Sequence, residues 1–367
     1  MAALALPFLR LQAQTSTSPV IVGQVGPFTG IPVPDARQLG LGISAALADA
    51  NASGGIHGRP LNLVSFDDGY TPDGFVAALS EVRKRKIAAI LAPVGSPAIK
   101  RTLDERLLDA GDLLILNAIP GAEALRNPGH RMLFHVRAGD RKQIERILAH
   151  AHTLGVTRLG VLHQDIPMGE SGWAICREAA AKLPGMQLQG AQSTTGAAAL
   201  AAAVGRLSVG TIQAVLIVGS PPFSGLGVAV LRAAGFSAFV YAMSYVTPEG
   251  LIKAAGKAAH GVMIAQTFPN AAGERTPLQR QFQSSMAKVN KSGEALSQFH
   301  FEGYVTARLF IEAALRARDT SASGLAAALQ ALGRFDLGGM HFDFRSSNAG
   351  GAFVDFSVLD HRGRLTF

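Results

Sequence analysis

The chain has 367 residues, 48% of them hydrophobic and only 16% charged. That balance supports a large core, excludes a disordered chain, and points to more than one typical domain but fewer than three. The net charge of +8 does not make a nucleic-acid binder: the basic residues are scattered, the dense run Arg83-Lys84-Arg85-Lys86 ends a predicted helix, and no aromatics interleave with it to stack on bases.

The first residues, Met1 to Leu9, are apolar, and Gln12-Ala13-Gln14 opens a polar run to Ser18. Residues 1–18 therefore read as a leader, the remnant of a secretory signal cleaved near Ala13, although the basic n-region is missing. No later stretch offers about 18 or more continuous apolar residues, so no membrane insertion is expected. Val20–Val25 is the first predicted strand, and Gly26-Pro27-Phe28-Thr29-Gly30 the loop after it. Leu39–Asn51 is an amphipathic helix closed by Gly54-Gly55. Leu61–Phe66 is the second strand, and Thr71-Pro72-Asp73 starts a helix with a cap, a first-turn proline and an acid at the positive end.

The third strand, Ile87–Leu91, is continuously apolar, as suits a strand buried on both faces of a parallel sheet. Pro93-Val94-Gly95-Ser96-Pro97 follows it, with Ser96 placed to cap a helix from Ala98 to Leu108. A helix N-terminus with a hydroxyl beside it attracts an anion. Leu113–Leu116 is the fourth strand, ending in Asn117-Ala118-Ile119-Pro120, and Leu133–Val136 links into a helix from Asp140 to Leu154.

The pattern then restarts. Strands are predicted at Arg158–Leu162, Gln187–Gln192, Ala214–Val218, Phe239–Met243 and Val262–Ala265. Their loops carry His163 to Met168, Gly219-Ser220, Ser244-Tyr245 and Gln266-Thr267-Phe268, with helices from Gly169 and over Thr195–Leu207. The tail holds helices at Leu278–Lys288, Phe301–Ala317 and Ser323–Leu332, then strand-like runs at Met340–Phe344, Ala352–Leu359 and Gly363–Phe367.

This is βα alternation carried out twice: an α/β protein with two doubly wound parallel-sheet domains. Right-handed crossovers put all strand carboxyl ends on one edge, where ligands bind. Two such edges facing each other make a cleft. The expected division is 19–138 plus 267–335 for the N-terminal lobe and 139–266 plus 336–367 for the C-terminal lobe.

No catalytic constellation emerges, so no enzyme activity, cofactor or metal is expected. The single cysteine, Cys176, excludes an intrachain disulfide, and its apolar helical setting suits core packing. No Cys/His spacing resembles a zinc site. Gly40-Leu41-Gly42-Ile43-Ser44-Ala45 matches GxGxxA but lies inside a helix, where the dinucleotide fingerprint does not belong, and Gly225-Leu226-Gly227 fails similarly. Asp67-Asp68 reads as an exposed turn, and His150 and His152 as surface residues. His163 and Asp165 end a strand with no nucleophile placed to use them.

The sequence resembles the type I periplasmic solute-binding proteins, the branched-chain amino-acid (Leu/Ile/Val) receptors of ABC transporters. The carrying stretches are Val25-Gly26-Pro27-Phe28-Thr29-Gly30, Asn51-Ala52-Ser53-Gly54-Gly55-Ile56-His57-Gly58-Arg59-Pro60-Leu61, Asp67-Asp68, Gly95-Ser96, Gly169, Ala234-Gly235 and Phe301-Glu302-Gly303-Tyr304. The run from Asn51 to Leu61 is the most specific. The resemblance implies two lobes joined by a three-segment hinge, closing on a small-molecule ligand in the periplasm. It also implies a monomer, and permease and ATPase subunits as partners. A ligand-sensing protein of the same fold is the alternative.

In such receptors a serine after the third strand and backbone groups after the fourth hold the ligand carboxylate. Ser96 falls on the first, and Ala118 and Pro120 near the second. Pro120 stands where the family usually has a hydroxyl. In the second lobe Met168 replaces a frequent tyrosine, and Ser220 a frequent aromatic. Ser244-Tyr245 fills the loop where amino-acid receptors put an acid for the ligand ammonium, and no acid follows until Glu249. The candidate ligand-binding residues are Phe28, Val94, Gly95, Ser96, Asn117, Ala118, Ile119, Met168, Ser220, Ser244, Tyr245 and Phe268. Burying an ammonium without a carboxylate would be costly, so beside amino-acid-like ligands the cleft suits a carboxylate or neutral compound with an aromatic or aliphatic body.

Overall fold

The computed structural model describes residues 18–29, 36–119 and 121–367. Residues 1–17 of the leader, Gly30 and Pro120 lie outside them.

The first sheet begins with β1 (Val20–Gly26), followed by α1 (Ala36–Ala52), β2 (Leu61–Asp67), α2 (Pro72–Lys84), β3 (Ala89–Leu91), α3 (Ser96–Asp104), β4 (Leu114–Leu116) and β5 (Leu133–Phe134). Its order is β2-β1-β3-β4-β5, all parallel. The chain then crosses into α4 (Asp140–Thr153), β6 (Arg158–Gln164), α5 (Pro167–Ala180), β7 (Gln187–Ser193), α6 (Ala197–Arg206) and β8 (Ala214–Val218). α7 (Pro221–Ala233), β9 (Phe239–Ala242), α8 (Pro248–Ala255) and β10 (Val262–Gln266) complete this part. It returns through α9 (Pro277–Val289), α10 (Gln298–Arg316), α11 (Ala322–Ala331), β11 (Arg334–Asp336) and β12 (His341–Asp343), and ends with β13 (Asp355–Leu359) and β14 (Leu365–Thr366). The second sheet runs β14-β13-β10-β9-β8-β6-β7.

Two separate cores follow. One gathers the residues of β1 to β5 with α1, α2 and α9 to α11; the other gathers those of β6 to β10 with α4 to α8 and Leu359. The chain passes between them three times: after Phe134, after β10 into Phe268, and between Phe344 and β13. The second sheet is mixed rather than purely parallel, because β13 and β14 close it antiparallel. The run Met340–Phe344 also departs from the expected division. Met340, Phe342 and Phe344 are buried in the first core, where Phe344 packs edge-on to Phe134 with centroids 5.9 Å apart.

Gly42, from the stretch that mimics a nucleotide fingerprint, has a packing role together with Gly303. A Cβ on Gly42 would sit 1.9 Å from the carbonyl oxygen of His300, and one on Gly303 would sit 2.1 Å from that of Leu39. The two glycines let α1 and α10 touch backbone to backbone. Cys176 is buried, and burial pushes its thiol up to about 12, as suits an inert core residue.

Candidate functional site

The loops after β1, β3 and β4 are fastened to one another at the carboxyl edge of the first sheet. Val94 N donates to Val25 O at 3.3 Å, Gly95 N to Ile119 O at 2.9 Å, and Ile119 N to Pro93 O at 2.9 Å. Gly95 holds φ +122°, where a side chain would be strained, and so turns the chain into α3. The backbone of Val94, Gly95 and Ile119 is thereby committed to the scaffold. The N–H of Ala118 has no partner among the described residues.

Ser96 does not cap α3. It is the first residue of the helix, Gly95 is the N-cap, and no side chain caps this end. Its Oγ is buried and without a hydrogen-bond partner. A buried hydroxyl left unpaired loses its hydration with nothing in return. Here it sits beside the free N–H groups of a helix N-terminus, which together suit a carboxylate.

Asp67 orders the neighbouring loop. Its Oδ1 accepts from Phe28 N at 3.0 Å and Thr29 N at 3.3 Å, and its other oxygen accepts the Thr29 hydroxyl. The Thr29 hydroxyl above all lowers the carboxyl below its ordinary range. Half-buried Phe28 is thereby held against the end of β2. Asp68, read from sequence as part of an exposed turn, is instead buried, and burial raises its pKa.

Two candidate ligand residues have their side chains packed or paired inside the first lobe. Asn117 is fully buried with φ +68°. Its Nδ2 donates to Glu302 Oε1 at 3.0 Å and Thr306 Oγ1 at 2.9 Å, while its Oδ1 accepts from Val136 N at 3.2 Å and Arg137 N at 3.0 Å. Every capacity of the amide is used. Phe268 is fully buried in the first core, edge-on to Phe301 with centroids 6.4 Å apart.

In the second lobe, Tyr245 Oη donates to Met168 Sδ at 3.2 Å, joining two candidates. Tyr245 is buried, which drives its pKa well above the ordinary value. Ser220 N donates to Gln164 Oε1 at 2.7 Å, and its side chain makes no cap hydrogen bond to α7. Ser244 belongs to the hinge: its hydroxyl accepts from Arg137 Nη2 at 3.0 Å and its N–H donates to Gln143 Oε1 at 3.1 Å.

Arg137 was not singled out from sequence, yet it is the polar centre of the hinge. Fully buried on the first crossing, it also donates from Nη2 to Thr267 Oγ1 at 3.2 Å, on the second crossing, and holds Nε 3.5 Å from Glu302 Oε1 on α10. One guanidinium thus touches both lobes. Burial raises the Glu302 pKa, opposed by Arg137. A visible signal was the acid of Phe301-Glu302-Gly303-Tyr304 inside an otherwise apolar helical run, since a buried charge requires a partner.

His163 and Asp165 do not form a catalytic pair. His163 stacks on Trp173 with centroids 5.6 Å apart, and Asp165 accepts from Gln192 Nε2 at 2.8 Å. His150, expected at the surface, bonds Tyr241 Oη at 3.1 Å and packs on Phe356 at 4.5 Å. Among the described residues, no group of three or more His, Cys, Asp or Glu side chains could hold a metal ion. No described helix is long and apolar enough to cross a membrane.

Two α/β lobes on a three-segment hinge, with loops from both sheets meeting at its polar centre, define a binding protein of the two-lobe cleft type. The chain belongs to the periplasmic binding protein family, whose model matches residues 19–358. This is a family of solute-binding receptors, not of enzymes. An extracellular ligand-binding receptor from Verminephrobacter eiseniae is 41% identical, with a TM-score of 0.88 over 95% of this chain and 100% of that one. A possible leucine/isoleucine/valine-binding protein from Rhodopirellula baltica shares the fold at 20% identity, with a TM-score of 0.83 over 96% and 97% of the two chains. A fatty acid ABC transporter substrate-binding protein from Thermomonospora curvata shares it at 18% identity, with a TM-score of 0.81 over 96% and 92%. No curated protein matches the chain.

Proposed function

We propose that the chain is an extracytoplasmic solute receptor. It binds a small organic carboxylate, amino-acid-like or with an aromatic or aliphatic body, in the cleft between its lobes. It delivers that ligand, as a periplasmic monomer, to the permease and ATPase subunits of an ABC transporter. The supporting observation is Ser96 Oγ, buried and unpartnered at the first turn of α3. Ser96, Ala118 N and the free N–H groups of the helix form the anion end. Phe28, Met168, Ser220 and Tyr245 line the body of the ligand.

Ligand binding should close the lobes, because a ligand that touches both stabilises the closed state by its differential affinity. The test is small-angle scattering on protein stripped of the compound that co-purifies with it, then reloaded with that compound identified by mass spectrometry. A smaller radius of gyration on reloading is expected. An unchanged radius with binding verified by calorimetry contradicts closure.

A further inference from the structure

The edge strand of the first sheet, β5, borders a cavity of about 260 Å³ whose lining includes none of the candidate ligand residues. Arg126, His130, Arg131 and His135 line it, together with Ser347 to Ala349 of the third crossing. The crossing is fastened to the strand: His135 N donates to Asn348 O at 2.7 Å, and Asn348 Nδ2 donates to His130 O at 2.9 Å. His130 Nε2 bonds Asp109 Oδ1 at 3.2 Å, and Arg131 Nη2 donates to Asp109 O at 2.7 Å. Asp109 precedes β4, so the cavity reaches toward the amino edge of the sheet. The loops that form the cleft wall leave from the carboxyl edge.

His135 is 3% exposed and only half bonded. Its Nε2 lies 3.1 Å from Leu125 O, which can only accept, so Nε2 carries the ring proton and Nδ1 is the acceptor. Nδ1 is buried without a hydrogen-bond partner. Burial above all, and then the Arg126 charge, push the imidazole pKa down to about 3, so the ring stays neutral. An occupant of the cavity must therefore bring a donor to this nitrogen. The two arginines ask for acceptors. Arg126 donates from Nε to Gly121 O at 3.3 Å and from Nη2 to Arg137 O at 3.1 Å, and its Nη1 has no acceptor among the described residues. Burial lowers its pKa only to about 10, so it remains a cation. Glu123, Asp140 and Glu302 favour that charged form, yet none of these acids lines the cavity. Arg131 places Nη1 3.7 Å from Met132 Sδ, a weak acceptor, and is exposed.

We infer that this cavity is a second binding site, for a small oxyanion that carries its own O–H, of which hydrogen phosphate is the simplest. The O–H donates to His135 Nδ1, and the charged oxygens accept from Arg126 and Arg131. One water needs only roughly 10–15 Å³, so the cavity has room for such an anion with water around it. The site stands apart from the cleft proposed above and does not depend on it.

The test compares phosphate with sulfate, a tetrahedral anion of the same shape that carries no proton at neutral pH. Both are titrated by calorimetry at constant ionic strength. Wild-type protein should bind phosphate about tenfold more tightly than sulfate, the worth of one hydrogen bond to a buried acceptor. His135→Phe, which keeps a flat ring and removes the acceptor, should bring the two anions to within about threefold. Ser96→Ala, which alters only the cleft, should bind phosphate as wild-type protein does. Sulfate binding as tightly as phosphate to wild-type protein overturns the proposal, as does a preference that survives in His135→Phe. Phosphate binding lost in Ser96→Ala overturns it too, because the anion would then sit at the first turn of α3. If neither anion binds, the donor to His135 is water and the site falls. The wild-type comparison and Ser96→Ala decide the matter even if His135→Phe fails to fold.

Discussion

The loops after β3 and β4 lie side by side on one sheet edge, hydrogen-bonded to each other through Gly95 and Ile119. They use their polar side chains in opposite ways. Ser96, after β3, keeps a buried hydroxyl with no partner, whereas Asn117, after β4, places all four capacities of its amide on Glu302, Thr306 and the first crossing. In the proposed reading, the difference separates reception from architecture. A group left unpaired in a buried position is maintained at a stability cost and gains its partner when a ligand arrives. A group that is fully paired holds the hinge together.

The largest effects should come from the paired side. Glu302→Ala leaves Arg137 as a buried cation without its counter-ion and removes one partner of Asn117. Breaking a buried pair in this way should destabilise the protein by about 3–5 kcal/mol, read as a lower denaturant midpoint. Asn117→Ala should follow at about 2–3 kcal/mol. It strands the Val136 and Arg137 N–H groups and puts alanine at φ +68°, which asparagine tolerates better. Either variant with wild-type stability would place the hinge elsewhere.

Asp140, whose buried Oδ1 has no hydrogen-bond partner, sharpens the contrast through pH. Burial, the largest cause, pushes its carboxyl up to about 6 from 3.8, so the folded state holds a proton that the unfolded chain has released. Below about pH 4 both states are protonated and the group is neutral for stability. As pH rises toward 6 and beyond, ligand-free protein should lose up to about 3 kcal/mol. Asp140→Asn should remove that slope and be the more stable protein at pH 8, but not at pH 4. Thermal melts across this range on stripped protein check the sign. A variant less stable at pH 8 than at pH 4, relative to wild type, would mean that Asp140 is ionised and satisfied in the free protein.

The lobes and the strand-ending loops were legible because their signals are local: apolar runs, a cap such as Thr71, a proline at a first helical turn. Thr71 does accept from Gly74 N at 3.0 Å. Ser96 was legible for the same reason, as strand, turn and helix lie within a few residues. Its exact position in the cap was not, because the φ of Gly95 decides which residue begins the helix. The pairing of the Asn117 side chain was not legible because its partners are distant: Glu302 lies 185 residues away in sequence. Arg137 and Asp140 escaped notice for the same reason, as their meaning depends on Ser244, Thr267, Glu302 and Gly121. His150 looked like a surface residue until Phe356 and Tyr241 came from elsewhere in the chain to cover it. Met340–Phe344 is strand-like and apolar, but nothing local says which of two cores receives it.

The smallest effect on stability should be at Ser96, and it carries the most information. Ser96→Ala removes a hydroxyl with no partner, so the ligand-free melting temperature should change little. Binding of the co-purifying ligand should weaken by about 1.5–3 kcal/mol, ten- to a hundredfold, because a hydrogen bond to a charged group is lost. Calorimetry and melts on this one variant therefore test the central claim most directly. Weakened binding with an unchanged melt is the expected result. Unchanged binding with a lowered melt would contradict it, and would assign Ser96 to the scaffold alongside Asn117.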